Sequence, residues 1–433
     1  MMNPSRTVWK RVKTTGALCL VGLLIIASLV GCGKAEDDVK PNTAAPGVVA
    51  TDGGSAVTET LKVGAAISFS GALAREGTSI SQGYQLWADY VNANGGIEVD
   101  GKKYMIELVL LDDKSDSNTA VKLVEKLITD DKVDFVFGPY GSNMTIAASA
   151  VNEKYKTIMI APMANSADVY SRDYKYIFGL LPPIDFGIGN HINIVDMIAA
   201  PPKTVAIVYP DEMWPKSTAE RLQVLAGEKG LEVVYFASYP KDTKDLSPLV
   251  SEVAKHNPDM LLTTGLMEDT VLLVRSFRER DVNIKYFGGV DLFLHEDFLK
   301  TMGNDANHLT AHAWWDKGSN NPSDVFGSAN KVVDLYKEAN GAEPDYYTIS
   351  GVSTGEVLHM AIKTANSIDT DAVREALLDT TFNTSLMKVK YEPNGSNPSG
   401  SGVLIQIQEG APVVVFPEDL KQADIIYPKP NWE

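Results

Sequence analysis

FVFGPYGSN, Phe135 to Asn143, is the stretch from which the rest of the chain can be read. Val133, Phe135, Val136 and Phe137 make a short apolar run of the kind that fills a buried parallel strand, and Gly138-Pro139 ends it. Ser142 and Asn143 are N-cap residue types, and Ile146, Ala147, Ala150 and Val151 continue at helical spacing through Thr145 to Tyr155. A strand end feeding a helix start leaves several N–H groups and a hydroxyl around a small concavity, which suits a carboxylate or phosphate. Taken alone, the stretch reads first as an ordinary strand-to-helix turn of an α/β fold. The surrounding sequence has to choose between the two.

Toward the amino end, Arg6, Lys10, Arg11 and Lys13 precede an apolar run from Ala17 to Val30, closed by Gly31-Cys32. This is a signal-peptide layout, too short to span a bilayer comfortably. Leu29-Val30-Gly31-Cys32 looks like the lipobox of bacterial lipoproteins, so residues 1–31 are expected to be removed and Cys32 lipidated, with acyl chains anchoring the protein at about 0.8 kcal/mol per buried methylene. The other cysteine, Cys19, lies in the leader, which leaves the exported chain no disulfide and makes core size carry its stability. Residues 32–60, poor in aromatics and rich in Ala, Gly, Pro, Thr and Asp, read as the lipidated cysteine and a flexible linker. Removal of the leader, with its four basic residues and no acid, takes the net charge from −17 to −21. So acidic a surface argues against nucleic acid and against polybasic adhesion to lipid.

From Leu61 onward strand-like and helix-like runs alternate. Leu61 to Ser68, Tyr104 to Asp112, Val133 to Gly138 and Ile158 to Ala161 are expected strands, with helices over Thr78 to Asn94 and Thr119 to Asp131 and a tight turn at Val99-Asp100-Gly101-Lys102. After a break around Tyr174 to Pro183 the rhythm restarts with strands at Thr204 to Tyr209, Leu231 to Ala237, Met260 to Gly265 and Ile284 to Gly288. Two runs of four units predict two similar lobes with parallel sheets. Mostly helical sequence then follows through Asp324 to Asn340, Thr348 to Asn366 and Asp371 to Leu378, and late strands such as Val403 to Gln408 imply that the chain crosses between lobes more than once.

Catalytic and metal signals fall away on inspection. Gly351-Val352-Ser353-Thr354-Gly355 matches the G-x-S-x-G elbow, yet the one histidine after Ser353 is His359, inside the same expected helix, so a secreted serine hydrolase is the weakest alternative. His308 and His312 lie in a strand-like run, where a spacing of four makes no helical metal face. Asp112, Asp113 and Asp116 lack the glycine and distal glutamate of a calcium loop and read as capping residues. No enzyme, cofactor or metal is expected.

The ordered motifs SFSGALAREG (Ser68 to Gly77), GYQLWADYVNANGGI (Gly83 to Ile97), LVLLDDKSD (Leu108 to Asp116), KLITDDKVDFVFGPYGSNMT (Lys126 to Thr145) and IMIAPMANSADVY (Ile158 to Tyr170) resemble the type I periplasmic binding proteins. More narrowly, they are similar to the leucine/isoleucine/valine-binding and related amino-acid- and amide-binding lipoproteins of ABC importers. That resemblance runs from about Leu61 to the end. It implies an α/β fold of two Rossmann-like lobes joined by a three-crossover hinge: 61–180 plus 316–388 for the N-terminal lobe, 181–315 plus 389–433 for the C-terminal lobe. It further implies a monomer that captures a small-molecule ligand by lobe closure and delivers it to an ABC permease, or that uses the same cleft as a sensor for amides, urea or other small solutes.

The site residues implied by the resemblance are Ser142 on the ligand α-carboxylate, with Tyr140 beside it, and Met163 and Asn165 offering a backbone carbonyl and a polar side chain. Asp291 stands where an acid meets the α-ammonium, and Trp214 covers the ligand from the second lobe. Glu76 occupies a position often aromatic in branched-chain binders. A carboxylate there disfavours an aliphatic pocket and suggests a polar or cationic ligand side, or an amide, unless Glu76 pairs with Arg75 or points to solvent.

Overall fold

In the computed structural model the first strand is central because its sequence is apolar on both faces. Leu61, Val63, Ala65, Ala66 and Ile67 are fully buried, and the strand pairs in parallel with a partner on each side. The structure describes residues 58–432, apart from 266, 291, 292, 294, 295, 317, 319, 401 and 419; the expected leader, Cys32 and linker lie outside the described residues. In chain order the first part is β1 (Thr58–Ile67), α1 (Ala74–Ala93), β2 (Ile97–Val99), β3 (Lys102–Asp112), α2 (Ser117–Thr129), β4 (Phe135–Phe137), α3 (Ser142–Tyr155), β5 (Met159–Ala161) and β6 (Ile177–Gly179). These strands form one six-stranded sheet in the order β2-β3-β1-β4-β5-β6, parallel except for β2. The turn at Asp100-Gly101, both with positive φ, closes the β2–β3 hairpin.

Short helices α4 (Asp185–Ile188) and α5 (Asn190–Asn193) lead to the second sheet. It is built from β7 (Thr204–Pro210), α6 (Met213–Glu228), β8 (Glu232–Tyr239), α7 (Ser247–His256), β9 (Met260–Thr263), α8 (Met267–Glu279), β10 (Tyr286–Gly289), α9 (Glu296–Met302) and β11 (Leu309–Ala313). The chain then passes through β12 (Pro322–Ser323), β13 (Gly327–Ser328), α10 (Ala329–Asn340), α11 (Tyr346–Ala365), α12 (Thr370–Asp379), β14 (Thr381–Asn383) and β15 (Lys388–Lys390). It ends with β16 (Val403–Gln408) and β17 (Ala411–Phe416), antiparallel strands that complete the seven-stranded sheet β17-β16-β11-β10-β9-β7-β8.

The long helix α11 returns to the first lobe. Glycines make its close approach to α1: a methyl on Gly83 would meet the Thr348 carbonyl at 2.1 Å, and one on Gly351 would meet the Ile80 carbonyl at 2.2 Å. Ser79 Oγ donates to the Asp345 carboxylate and Tyr336 Oη to Gln82, holding α10 and α11 on the same lobe. The described chain therefore passes between the two sheets three times, after β6, after β11 and after β15.

Several expectations are corrected at their edges. The helix α1 begins at Ala74, four residues before Thr78, because the preceding turn is pinned from outside: Asp112 accepts the N–H groups of Phe69 and Ser70, and Ser115 Oγ that of Leu73. The stretch Tyr174 to Pro183, read as a break, contains β6. The N-cap of α3 is Gly141, at φ +86°, with Ser142 as the first helical residue; the backbone turns at glycine and neither Ser142 nor Asn143 caps with its side chain. Asp116, in contrast, caps α2 by accepting from Thr119 N–H at 2.8 Å.

Candidate ligand-binding site

Both sheets reverse strand order beside their first strand. In the first sheet the chain moves from β1 to β3 on one side, then to β4 on the other; in the second it moves from β7 to β8, then to β9. Loops at the carboxyl ends of the strands diverge at such points and leave a crevice. The two crevices open into one cavity of about 750 Å³. Its wall includes Glu76 after β1, Tyr140 to Ser142 after β4, Met163 and Asn165 after β5, Trp214 after β7, Asp269 after β9 and Val290 after β10.

The α3 end is prepared for an acceptor. Gly141 donates its N–H to the Met163 carbonyl at 3.2 Å, and its own carbonyl accepts from Thr145 N–H and Oγ1. That fixes the first turn, in which the N–H groups of Ser142, Asn143 and Met144 have no carbonyl one turn earlier to bond. Ser142 Oγ accepts from Ser166 N–H at 3.1 Å, which orients the hydroxyl and leaves its proton for a further acceptor. A carboxylate seated here would meet backbone N–H groups, a hydroxyl and the positive end of a fourteen-residue helix.

Six of the seven residues named from sequence line this cavity: Glu76, Tyr140, Ser142, Met163, Asn165 and Trp214. Asp291 lies outside the described residues, directly after the cavity residue Val290. Asn165 is engaged across the cleft, since Trp214 Nε1 donates to its Oδ1 at 2.8 Å. Its amide nitrogen remains the group it can offer a ligand. Met163 likewise already accepts from Gly141 through the carbonyl expected to face an ammonium, which leaves it one lone pair.

Glu76 sits over the cavity because Gly77, next to it, presses on the end of β1: a methyl at Gly77 would meet the Ser68 carbonyl at 2.1 Å. Arg75 does not hold the Glu76 carboxylate; its guanidinium reaches Asp297 on α9 at 3.7 Å. The buried Oε2 of Glu76 has no hydrogen-bond partner. Burial pushes its carboxyl above the usual carboxylate range and nearby Asp345 adds to this, while its own backbone N–H and the Arg75 charge pull it down.

Sequence reasoning missed much of the wall. Tyr346 and Tyr347, the first residues of α11, line the cavity, and Tyr347 packs edge-on to Tyr140 with ring centroids 5.6 Å apart. The Asp345 cap was a readable helix start, with its carboxylate accepting from Thr348 N–H, but the return of α11 to the first lobe was not readable from periodicity. His312 also lines the cavity, wedged between the backbones at Gly187 and Gly402 and edge-on to Trp314. Burial lowers its pKa to about 3, helped by nearby His191, so it is a neutral wall group.

Ser353 is accounted for without chemistry. It is fully buried in α11, its Oγ donating to Glu356 and accepting from Leu386 N–H, both at 3.0 Å. Among the described residues no group of three or more His, Cys, Asp or Glu side chains could hold a metal ion, and no helix is long and apolar enough to cross a membrane.

Two α/β lobes, three connections and one cleft fed by both switch points define a two-lobed solute-binding protein. The chain belongs to the periplasmic binding protein family, whose model matches residues 60–412. It is similar to Leu/Ile/Val-binding protein homolog 8 of Brucella abortus (strain 2308), with 26% identity over 382 residues covering 85% of this chain and 93% of the relative. Its fold matches the branched-chain amino acid transporter substrate binding protein LivJ from Streptococcus pneumoniae, solved in complex with isoleucine, at a TM-score of 0.72 with 21% identity, covering 86% of this chain and all of that one. The leucine binding protein LivK from Thermotoga maritima superposes at 0.71, also with 21% identity, covering 83% of this chain and all of that one.

Proposed function

We propose that this protein is a lipid-anchored, extracytoplasmic substrate-binding lipoprotein of an ABC importer, capturing an amino acid or amino-acid-like solute between two lobes and presenting it to a membrane permease. The observation that carries this reading is the turn at Gly141-Ser142, whose free first-turn amides and oriented hydroxyl face a cavity shared by both switch points. The names of the relatives, and isoleucine in one of them, support an amino-acid-like ligand. Residues 61–180 with 316–388 act as one lobe and 181–315 with 389–433 as the other, working as a monomer tethered through Cys32 and residues 33–60. Closure exchanges ligand hydration for Ser142, the Asn165 amide, the Met163 carbonyl and Asp291 under the cover of Trp214 and Tyr140. Each charge-assisted bond contributes about 1.5–3 kcal/mol. Titration calorimetry against a panel of amino acids and amides tests the reading: Ser142→Ala and Asp291→Ala are each expected to weaken the best ligand tenfold or more. Unchanged affinity in both would remove the site assignment.

A further inference from the structure

The cavity wall on the first lobe combines features that an aliphatic side chain does not need. Glu76 Oε2 is buried, faces the cavity and has no partner, and Arg75, the cation beside it in sequence, is turned to Asp297. An acceptor left in that state costs stability unless something binds it. Three tyrosines line the same cavity with mutually inclined rings: Tyr140 and Tyr347 at 79°, Tyr346 and Tyr347 at 47° with centroids 5.4 Å apart. Inclined aromatic faces and a carboxylate lining one cavity form an environment that attracts ammonium, guanidinium and quaternary ammonium groups.

Charges act on the carboxylate from both lobes. Asp345, at the start of α11, adds negative potential, and Arg75 opposes it from α1. The second lobe contributes Asp269 together with Lys241, Lys244 and Arg275. Lys241 is bonded to Glu212 at 2.5 Å, and Lys244 and Arg275 are exposed, where solvent screens them. The first-lobe wall of the cavity is thus acidic and aromatic.

We infer that Glu76 and the tyrosines Tyr140, Tyr346 and Tyr347 form a cation subsite, and that the captured solute carries a positive group at the end remote from its carboxylate. This rests on the amino-acid-capture reading and narrows it to basic amino acids and carboxylates bearing a guanidino or quaternary ammonium group. Glu76 acts as a specificity residue: its ionised form is an acceptor that a cation satisfies and that a branched aliphatic chain leaves stranded.

The test is calorimetry on the full chain with L-arginine, L-lysine and glycine betaine as cationic probes and L-leucine as the aliphatic one, each repeated with Glu76→Gln after its melting temperature shows that it is folded. At least one cationic probe is expected to bind ten times more tightly than leucine and to lose tenfold or more in Glu76→Gln. Tyr140→Leu is expected to weaken the same probe several-fold. Leucine binding more tightly than every cationic probe, with the same affinity in Glu76→Gln, would overturn the cation subsite and leave amino-acid capture standing. Failure of all four probes to bind would overturn both.

Discussion

Two glutamates on the first lobe, Glu76 on α1 and Glu356 on α11, are both pushed above the usual carboxylate range by burial, yet they answer to opposite demands. Glu356, on α11, is fully buried and surrounded by donors: Ser353 Oγ at 3.0 Å, Ser385 N–H at 2.8 Å and Oγ at 3.0 Å, and the hydroxyl of Ser323. Ser323 accepts from Phe326 N–H and Ser353 from Leu386 N–H, so both hydroxyls must point their protons at the carboxylate. Glu356 therefore sews two loops onto α11. Glu76 has the same side chain and an unpaired oxygen in a cavity. A buried acid with every partner supplied by its own chain holds the fold together; one whose partner is missing from its own chain is placed for a partner from outside.

The largest effect should come from making the same change in both. Glu356→Gln replaces one acceptor oxygen by a donor facing hydroxyls and an N–H already committed to donating, and is expected to lower unfolding free energy by about 2 kcal/mol in urea titration. Glu76→Gln should move the ligand-free protein the other way, raising its melting temperature slightly at pH 7, since a desolvated charge is removed and no bond is lost. The pH dependence follows in sign. A carboxyl whose folded pKa is raised favours the folded state most at low pH and loses that contribution as pH rises through its folded pKa. Replacing Glu76 should therefore flatten the decline in ligand-free stability as pH rises above the ordinary carboxylate range, while Asp345 and Arg75, which act on it, stay in place. Destabilisation of similar size in both variants would erase the contrast.

A second comparison sets the α1–α11 contact against the cleft. Gly351→Ala places a methyl 2.2 Å from the Ile80 carbonyl, inside a buried helix crossing, and is expected to cost about 1–3 kcal/mol of stability with no specific effect on ligand. Trp214→Phe, across the cleft, keeps an aromatic ring, gives up the pyrrole half of the indole and with it the bond to Asn165, worth about 1 kcal/mol. Its effect should appear in lobe closure, as a larger radius of gyration by small-angle scattering, with a nearly unchanged melting temperature. A Trp214→Phe protein as compact as wild type would mean that the inter-lobe bond does not bias closure.

How much of this was legible in sequence follows the same division. The β1 and β4 strands and the α3 helix announce themselves, because buried parallel strands are apolar runs and Gly138-Pro139 is strong punctuation. Five of the cavity residues follow a readable strand end: Tyr140, Ser142, Met163, Asn165 and Trp214. What escaped depended on distant chain. The start of α1, and with it the seat of Glu76, is fixed by Asp112 and Ser115 some forty residues on. Gly141 as the cap of α3 is invisible beside two better capping side chains, because its positive φ is dictated by the loop path. Gly351 and Gly355 match a catalytic elbow in sequence but serve the contact with α1: a methyl on Gly355 would meet the Trp87 ring at 2.2 Å.

The smallest expected effect sharpens the comparison most. Arg75 and Glu76 are neighbours on α1, and Arg75 reaches across to Asp297 on α9 at 3.7 Å, which makes it the one of the two that bears on closure. The ion pair is loose and its side chains are 38% and 70% exposed, so screening and side-chain entropy leave it about 0–0.5 kcal/mol. Arg75→Ala is expected to change the closed population less than twofold at physiological salt, by small-angle scattering, with the residual difference growing at low ionic strength. If it opened the lobes as far as Trp214→Phe does, closure would be governed at the exposed rim. If it stays silent while Trp214→Phe opens the protein, the half-buried bond to Asn165 holds the lobes, and the adjacent glutamate remains turned inward for the ligand.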